Sequence, residues 1–134
     1  MNVEIEREII NCFFKKNKQE RMIWELENPE KRKYFWNRIA HLTVLEESCL
    51  QVSEYKNYEE LQQFLMEKSG RKEIYMIGES YIGEIAIEDA IDYLQKSEIC
   101  ILYCGNGIGY YQPEEDYGNF KKYILISPKG RGDK

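Results

Sequence analysis

Apolar residues recur every three or four positions in the first forty residues, which is the spacing of amphipathic helices. They predict a first helix over residues 3–15 and a short second helix, marked by Met22, Ile23 and Leu26, that Asn28-Pro29 stops. Asn28 and Pro29 then form a helix-start signal, because asparagine caps a helix and proline suits its first position. A third helix follows, with one face lined by Phe35, Trp36, Ile39 and Leu42. We interpret Trp24 and Trp36 as core anchors.

The middle of the chain combines helix and strand signals. Residues 43–56 have no clear period, although Cys49, Leu50 and Val52 are compatible with a strand. Asn57 and Glu60 occupy the two positions of a capping box and predict a helix that Ser69-Gly70 ends. A short apolar strand at 74–77, a loop at 78–84 and an amphipathic helix built on Ile87, Ala90, Ile91 and Leu94 follow.

The last third of the chain has the pattern of a sheet. Apolar strands are predicted at 99–104, 108–112 and 123–127, and Gly105-Asn106-Gly107 predicts a tight turn between the first two. Helices that precede a meander of strands indicate an α+β fold. We therefore predict a single domain over residues 1–134, with N-terminal helices packed on an antiparallel sheet of four or five strands. Residues 128–134 are expected to form a flexible tail.

Length and cysteine usage predict a cytoplasmic protein. A chain of 134 residues fits one domain and is long enough to bury an apolar core. The acidic start lacks the features of a signal peptide, and no apolar run reaches the roughly 20 residues that a membrane helix needs. Four cysteines lie among apolar neighbours, as buried thiols do in a reducing compartment: Cys12, Cys49, Cys100 and Cys104. No second pair or nearby histidine completes a zinc site around the last two, so we predict no metal and no cofactor.

The net charge of −5 is unevenly distributed. Residues 1–40 carry nine basic and seven acidic side chains, whereas residues 41–119 carry five basic and sixteen acidic ones. The final fifteen residues are basic again, with five cations and one anion. An acidic domain repels phosphates, which disfavours a nucleic-acid partner. The basic and aromatic stretch 31–38 is interpreted as an ordinary amphipathic helix, because Phe35 and Trp36 fall on its inward face.

Two motifs invite a catalytic interpretation and do not sustain it. Gly105, Gly107 and Gly109 resemble a phosphate loop in composition, but the residues after them predict a strand and not a helix N-terminus. His41 is the only histidine, and it closes the third helix, where a histidine interacts with the last carbonyls. No family signature for a nucleophilic site accompanies it. The sequence therefore predicts no catalytic residue.

Five carboxylates cluster within fourteen residues: Glu79, Glu84, Glu88, Asp89 and Asp92. Three interpretations stay open for them. They form a solvated helix face, they meet a basic protein, or they serve catalysis with a metal ion. The cluster lacks the glycine-centred spacing of a calcium-binding loop.

Several segments resemble small bacterial proteins of the immunity type, and otherwise unassigned ones, found around toxin loci. The matching segments are Arg21–His41, Ile74–Ile77, Gly83–Ile85, Ile87–Ile91, Gly107–Tyr111 and Lys122–Leu125. The resemblance covers over half of the chain and implies a stoichiometric inhibitor. It brings no catalytic residue with it.

We therefore predict a non-catalytic protein that binds a basic toxin domain and blocks its active site. The expected contact residues are the five carboxylates above together with Glu114, Glu115 and Asp116, and the expected aromatic anchors are Tyr110, Tyr111 and Tyr117. Two alternatives stay open. One is a metal-dependent enzyme that uses the clustered carboxylates, and the other is a structural or regulatory subunit that forms a homodimer.

Overall fold

The computed structural model describes residues 2–41, 44–55, 57–114 and 121–128. Its helices are α1 (Val3–Phe13), α2 (Gln19–Glu27), α3 (Arg32–Ile39), α4 (Tyr58–Ser69) and α5 (Ile87–Gln95). Its strands are β1 (Leu50–Val52), β2 (Glu73–Gly78), β3 (Ile82–Ala86), β4 (Cys100–Gly105), β5 (Ile108–Gln112) and β6 (Tyr123–Ile126). The predicted α+β class is confirmed. The predicted tail lies almost wholly outside the described residues.

The helix ends follow local signals. The Asn57 side chain accepts a hydrogen bond from the Glu60 amide at 2.9 Å, which caps α4 as predicted. Gly70 adopts a φ of +68° and ends the same helix. Helix α1 stops at Phe13, two residues earlier than predicted, because Phe14 is extended and pairs with Leu45 in an isolated bridge.

The sheet has six antiparallel strands in the order β1-β6-β5-β4-β2-β3. The additional strand is β3, which lies mostly within a segment predicted as a loop. Ile82 packs against the core on one side of the sheet and Ile85 lies in the core on the other side. With Gly83 and Glu84 between them, these residues form no apolar run and no clear alternation. Pairing with β2 is what makes the segment a strand.

Two apolar cores lie on opposite faces of the sheet. Side chains alternate across a strand, so Tyr75 and Ile77 of β2 enter one core while Ile74 and Met76 enter the other. Helices α1–α3, here called the first layer, cover the first core, which confirms the predicted packing of the N-terminal helices. Helices α4 and α5, here called the second layer, cover the opposite face.

The prediction that Trp24 anchors the core is wrong. Helix α2 turns Met22 and Leu26 inward, and Trp24 lies on the outer side with 43% of its surface exposed. The Arg21 guanidinium lies 4.7 Å from the centre of the indole ring. Trp36 is half-buried and packs against the first core, and its ring meets Phe35 edge-on.

Two tyrosine–carboxylate contacts tie α1 to the sheet. The Tyr75 hydroxyl donates to Glu6 at 2.5 Å and accepts from the Asn2 amide at 2.7 Å. The Tyr103 hydroxyl donates in the same way to Glu8. Burial, followed by these carboxylate contacts, raises the pKa of both tyrosines. Glu6 is itself buried, and its second carboxylate oxygen has no partner among the described residues. The two neutral tyrosines therefore fix the position of α1 on the sheet.

Candidate functional site

The second layer, together with β2, β3 and their connections, carries about half of the acidic residues in the described part of the chain. Residues 57–98 contain ten acidic and four basic side chains, a balance of −6. Nine of the ten acidic residues are exposed. The tenth, Glu98, is half-buried because its carboxylate accepts from the Ser80 amide at 2.7 Å and the Ser80 hydroxyl at 2.8 Å. The net negative charge is thus concentrated on this layer, the two strands beside it and their connections.

Four of these carboxylates line a cleft of about 520 Å³ at the edge of the sheet, between β3 and α5. We call it the β3 cleft; its acidic residues are Glu73, Glu84, Asp89 and Asp92. Tyr81 and Tyr93 complete its wall, with ring centres 6.4 Å apart in a stacked arrangement. The Tyr81 hydroxyl donates to the Glu84 carbonyl at 2.6 Å, which holds the ring in place. Three of the carboxylates selected from the sequence therefore come together here.

Two cations lie near the β3 cleft and offset part of its charge. Arg71 approaches Glu84 at 3.7 Å, and both side chains are more than half exposed. Such a solvent-exposed pair contributes little to stability and leaves the carboxylate accessible. Lys96 lies over the Tyr93 ring at 5.8 Å. The cleft keeps an excess of negative charge over these two cations.

The other predicted contact residues lie elsewhere. Glu79 is exposed in the turn between β2 and β3, and Glu88 is exposed on α5 away from the cleft lining. Glu114 is exposed as well, but its amide donates to the Ala40 carbonyl at 3.1 Å, which places it beside the end of α3. The remaining three, Glu115, Asp116 and Tyr117, lie outside the described residues.

The predicted aromatic anchors Tyr110 and Tyr111 need correction. Only 4% of Tyr110 and 0% of Tyr111 is exposed, because β5 is an inner strand covered by a helical layer on each face. Tyr110 lies in the second core and Tyr111 in the first, where its hydroxyl donates to the Ile39 carbonyl. Burial raises the pKa of both hydroxyls. Neither ring has a surface to offer a partner.

A second concavity, which sequence reasoning missed, lies at the opposite edge of the sheet. This β1 groove has a volume of about 970 Å³ and runs between β1 and α4. Its acidic residues are Glu54, Glu60 and Glu67, and its apolar lining consists of Val52, Tyr55, Phe64 and Ile124. The only available signal was the spacing of Glu60, Phe64 and Glu67 on one side of α4. The other wall comes from residues 50–55, where the sequence has no clear period.

No protein-family model matches the chain, and no curated protein or solved structure matches it significantly. The surface itself is therefore the basis for assigning a binding role. In the parts of the chain that the structure describes, no helix has both the length and the apolar character needed to cross a bilayer.

The two motifs considered for catalysis lie at a turn and just after a helix. Gly105 and Gly107 adopt φ values of +96° and +74° in the turn between β4 and β5, which confirms the predicted hairpin. His41 is exposed just after α3. Within the described ranges, no group of three His, Cys, Asp or Glu side chains is arranged to hold a metal ion. Among the described residues, the β3 cleft and the β1 groove are acidic concavities at the two edges of the sheet.

Proposed function

We propose that this chain is a non-catalytic protein-binding domain whose acidic second layer captures a basic partner. The observation that carries the proposal is the convergence of Glu73, Glu84, Asp89 and Asp92 in one cleft. The partner proposed is a toxin domain whose active site becomes covered in the complex. This agrees with the immunity-type resemblance of several segments of the sequence.

Electrostatics supports capture of a cationic protein. A surface that concentrates charge of one sign accelerates encounter with an oppositely charged partner and orients it before contact. Proteins that act on nucleic acids bind phosphates with lysine and arginine, so their active sites are basic. An acidic cleft placed over such a site competes directly with the substrate. The second layer has the charge that this role needs.

Two tyrosines are suited to anchor the contact. Tyr81 is 38% exposed and Tyr93 is half-buried, so both rings reach the wall of the β3 cleft. Tyrosine is enriched among the residues that dominate binding energy, because it offers a large, rigid contact area and a hydroxyl. They take the role that the sequence had suggested for the buried Tyr110 and Tyr111.

The compartment proposed is the cytoplasm. All four cysteines are free thiols, and three of them are buried. Cys100 and Cys104 lie on the same strand and enter the same core, where they contribute packing as small apolar groups. Unpaired buried thiols are typical of proteins that work in a reducing environment.

The test uses the product of the gene beside this one, co-expressed with the chain. Wild-type chain should form a complex with that product and restore growth of cells that it inhibits. The variant Glu84→Lys/Asp89→Lys/Asp92→Lys should lose rescue and bind at least about tenfold more weakly, because it reverses the charge of the β3 cleft. The matched control Glu4→Lys/Glu20→Lys/Glu30→Lys makes the same charge change on exposed residues of the first layer. It should bind and rescue as wild type does.

Two outcomes contradict the proposal. One is a cleft variant that folds, as judged by its thermal melt, and still binds and rescues like wild type. The other is an equal loss in the cleft variant and the control, which would mean that net charge matters and the cleft does not. Binding measured at low and at high salt adds a check, since capture through the cleft should weaken as salt rises.

A further inference from the structure

Among the described residues, strand β1 forms an open edge of the sheet. It is the terminal strand, and its neighbour in the sheet is β6. The Ser53 amide donates to the Lys122 carbonyl at 2.8 Å, so the backbone of Ser53 faces β6. Since backbone groups alternate in direction along an antiparallel strand, the N–H and C=O of Val52 face away from the sheet. The Val52 side chain is 52% exposed. An open edge of this kind is a template for another strand.

The β1 groove lies directly beside that edge. Its apolar surface comes from Phe64, which is 9% exposed, and from Tyr55, which is 37% exposed. Their ring centres are 5.3 Å apart, so together they form a continuous aromatic wall. The groove is larger than the β3 cleft, at about 970 Å³ against about 520 Å³. A side chain that projects from an added strand therefore has a pocket to enter.

The charge of the groove selects the kind of side chain. Glu54, Glu60 and Glu67 line it and are exposed. Burial, followed by the negative charges of Glu67 and Glu60, raises the pKa of Tyr55. Two of the carboxylates are thus close enough to the aromatic wall to influence the Tyr55 hydroxyl. A cation with an aliphatic stem matches both features, because the stem packs on the rings while the charge meets the carboxylates.

We infer that the β1 groove binds an extended segment that carries lysine or arginine at alternate positions and adds to β1 as a further strand. Its backbone pairs with Val52, and its cationic side chains point toward α4 and the three carboxylates. The inference rests on the proposed function, since it names the part of the basic partner that this edge receives. The β3 cleft and the β1 groove then act at the two ends of one sheet.

The test uses a short synthetic peptide of alternating lysine and valine, and not the partner. It should bind the full chain, and its effects on backbone amide resonances should centre on residues 50–54. A second peptide has the same sequence, with N-methyl groups on the amides that would pair with β1. It keeps every charge but cannot form the hydrogen bonds of strand addition. It should bind at least about tenfold more weakly, because main-chain hydrogen bonds supply much of the affinity in this mode.

Two variants of the chain separate the groove from the remaining acidic surface. Glu54→Lys/Glu67→Lys should weaken binding of the lysine–valine peptide by about tenfold or more. The control Glu79→Lys/Glu88→Lys makes the same charge change outside the groove lining and should bind as wild type does. Val52→Pro removes the backbone N–H that faces away from the sheet, at an edge position where proline is tolerated. It should weaken binding of the unmodified peptide.

Three results would overturn the inference. The first is that the methylated peptide binds as tightly as the unmodified one. The second is that the groove variant and its control lose the same amount of peptide affinity. The third is that the wild-type chain forms a homodimer, which Val52→Pro abolishes. The last result would mean that a second copy occupies the edge.

The outcome of this test is separable from that of the proposed function. If the peptide binds at β1 and the neighbouring gene product does not bind the chain, the groove assignment holds and the toxin partner is wrong. If that product is captured without any effect at β1, the groove assignment fails alone.

Discussion

The two helical layers use charged residues in opposite ways. In the first layer, Glu25 is fully buried and lies 3.1 Å from both Arg21 and Arg38. Arg7 and Glu27 pair at 2.6 Å between α1 and α2. In and around the second layer the carboxylates lie on the surface, and several of them line the β3 cleft and the β1 groove. Charge in the first layer therefore connects helices, whereas charge in the second layer is directed outward.

This difference separates residues that stabilise the fold from those that carry the proposed binding role. A buried carboxylate that loses its cations is costly, because the desolvation penalty is no longer offset. An exposed carboxylate that loses a neighbour is solvated by water and changes stability little. Substitutions that unpair the buried charge of the first layer should therefore affect folding, and substitutions of the exposed pairs beside the second layer should leave the fold intact.

The largest expected effect comes from removing the cations of Glu25. The variant Arg21→Met/Arg38→Met leaves a buried carboxylate without its partners, and the free energy of unfolding should fall by about 3 kcal/mol or more. Urea denaturation measures the loss. Adding Glu25→Met should recover most of it, because an apolar side chain of similar size has no desolvation penalty. In the second layer, Arg71→Met should cost about 1 kcal/mol or less. Equal losses in the two layers would contradict the comparison.

A smaller effect is expected at the tyrosine that holds α1. Tyr75→Phe removes the hydroxyl that donates to Glu6 and accepts from Asn2. The buried Glu6 carboxylate loses its donor, so the free energy of unfolding should fall by about 1–3 kcal/mol. The control Tyr81→Phe removes a hydroxyl in the second layer whose carbonyl partner is accessible to water, and it should cost about 0.5 kcal/mol. A loss at Tyr81 as large as that at Tyr75 would show that exposure does not govern the difference.

The last expected effect is a gradual loss of stability at alkaline pH. Burial raises the pKa of Cys104 from 9.0 to about 12. A folded-state pKa above the unfolded value stabilises the fold fully below the unfolded pKa, and this contribution is lost as pH rises toward the folded value. The Cys104 contribution should decrease by about 1.4 kcal/mol per pH unit between pH 9 and 12. Denaturation curves of Cys104→Ala should show a shallower alkaline decline than wild type, and identical slopes would contradict this.

The candidate site was predictable only in part. Glu84, Asp89 and Asp92 were found because two of them share α5 and the third lies a few residues before it. The β1 groove was not found, because its walls come from segments whose proximity depends on the pairing of β1 with β6. Tyr110 and Tyr111 were predicted at the surface because the sequence of the strand Ile108–Gln112 does not reveal whether both of its faces are covered. The exposure of Trp24 was also not evident from the sequence, because polar residues precede and follow it in α2.

Local information determined the helices, the caps at Asn57 and Gly70, and the hairpin at Gly105–Gly107. Each of these depends on residues that are close in the chain, so a repeat or a special backbone conformation identifies it. The α+β class followed from their order. Only the tertiary structure decided that β5 lies inside the sheet, that Ile82–Ala86 is a strand, and that β1 ends the sheet beside α4. Those features depend on which distant segments pair, and side-chain burial follows from that pairing.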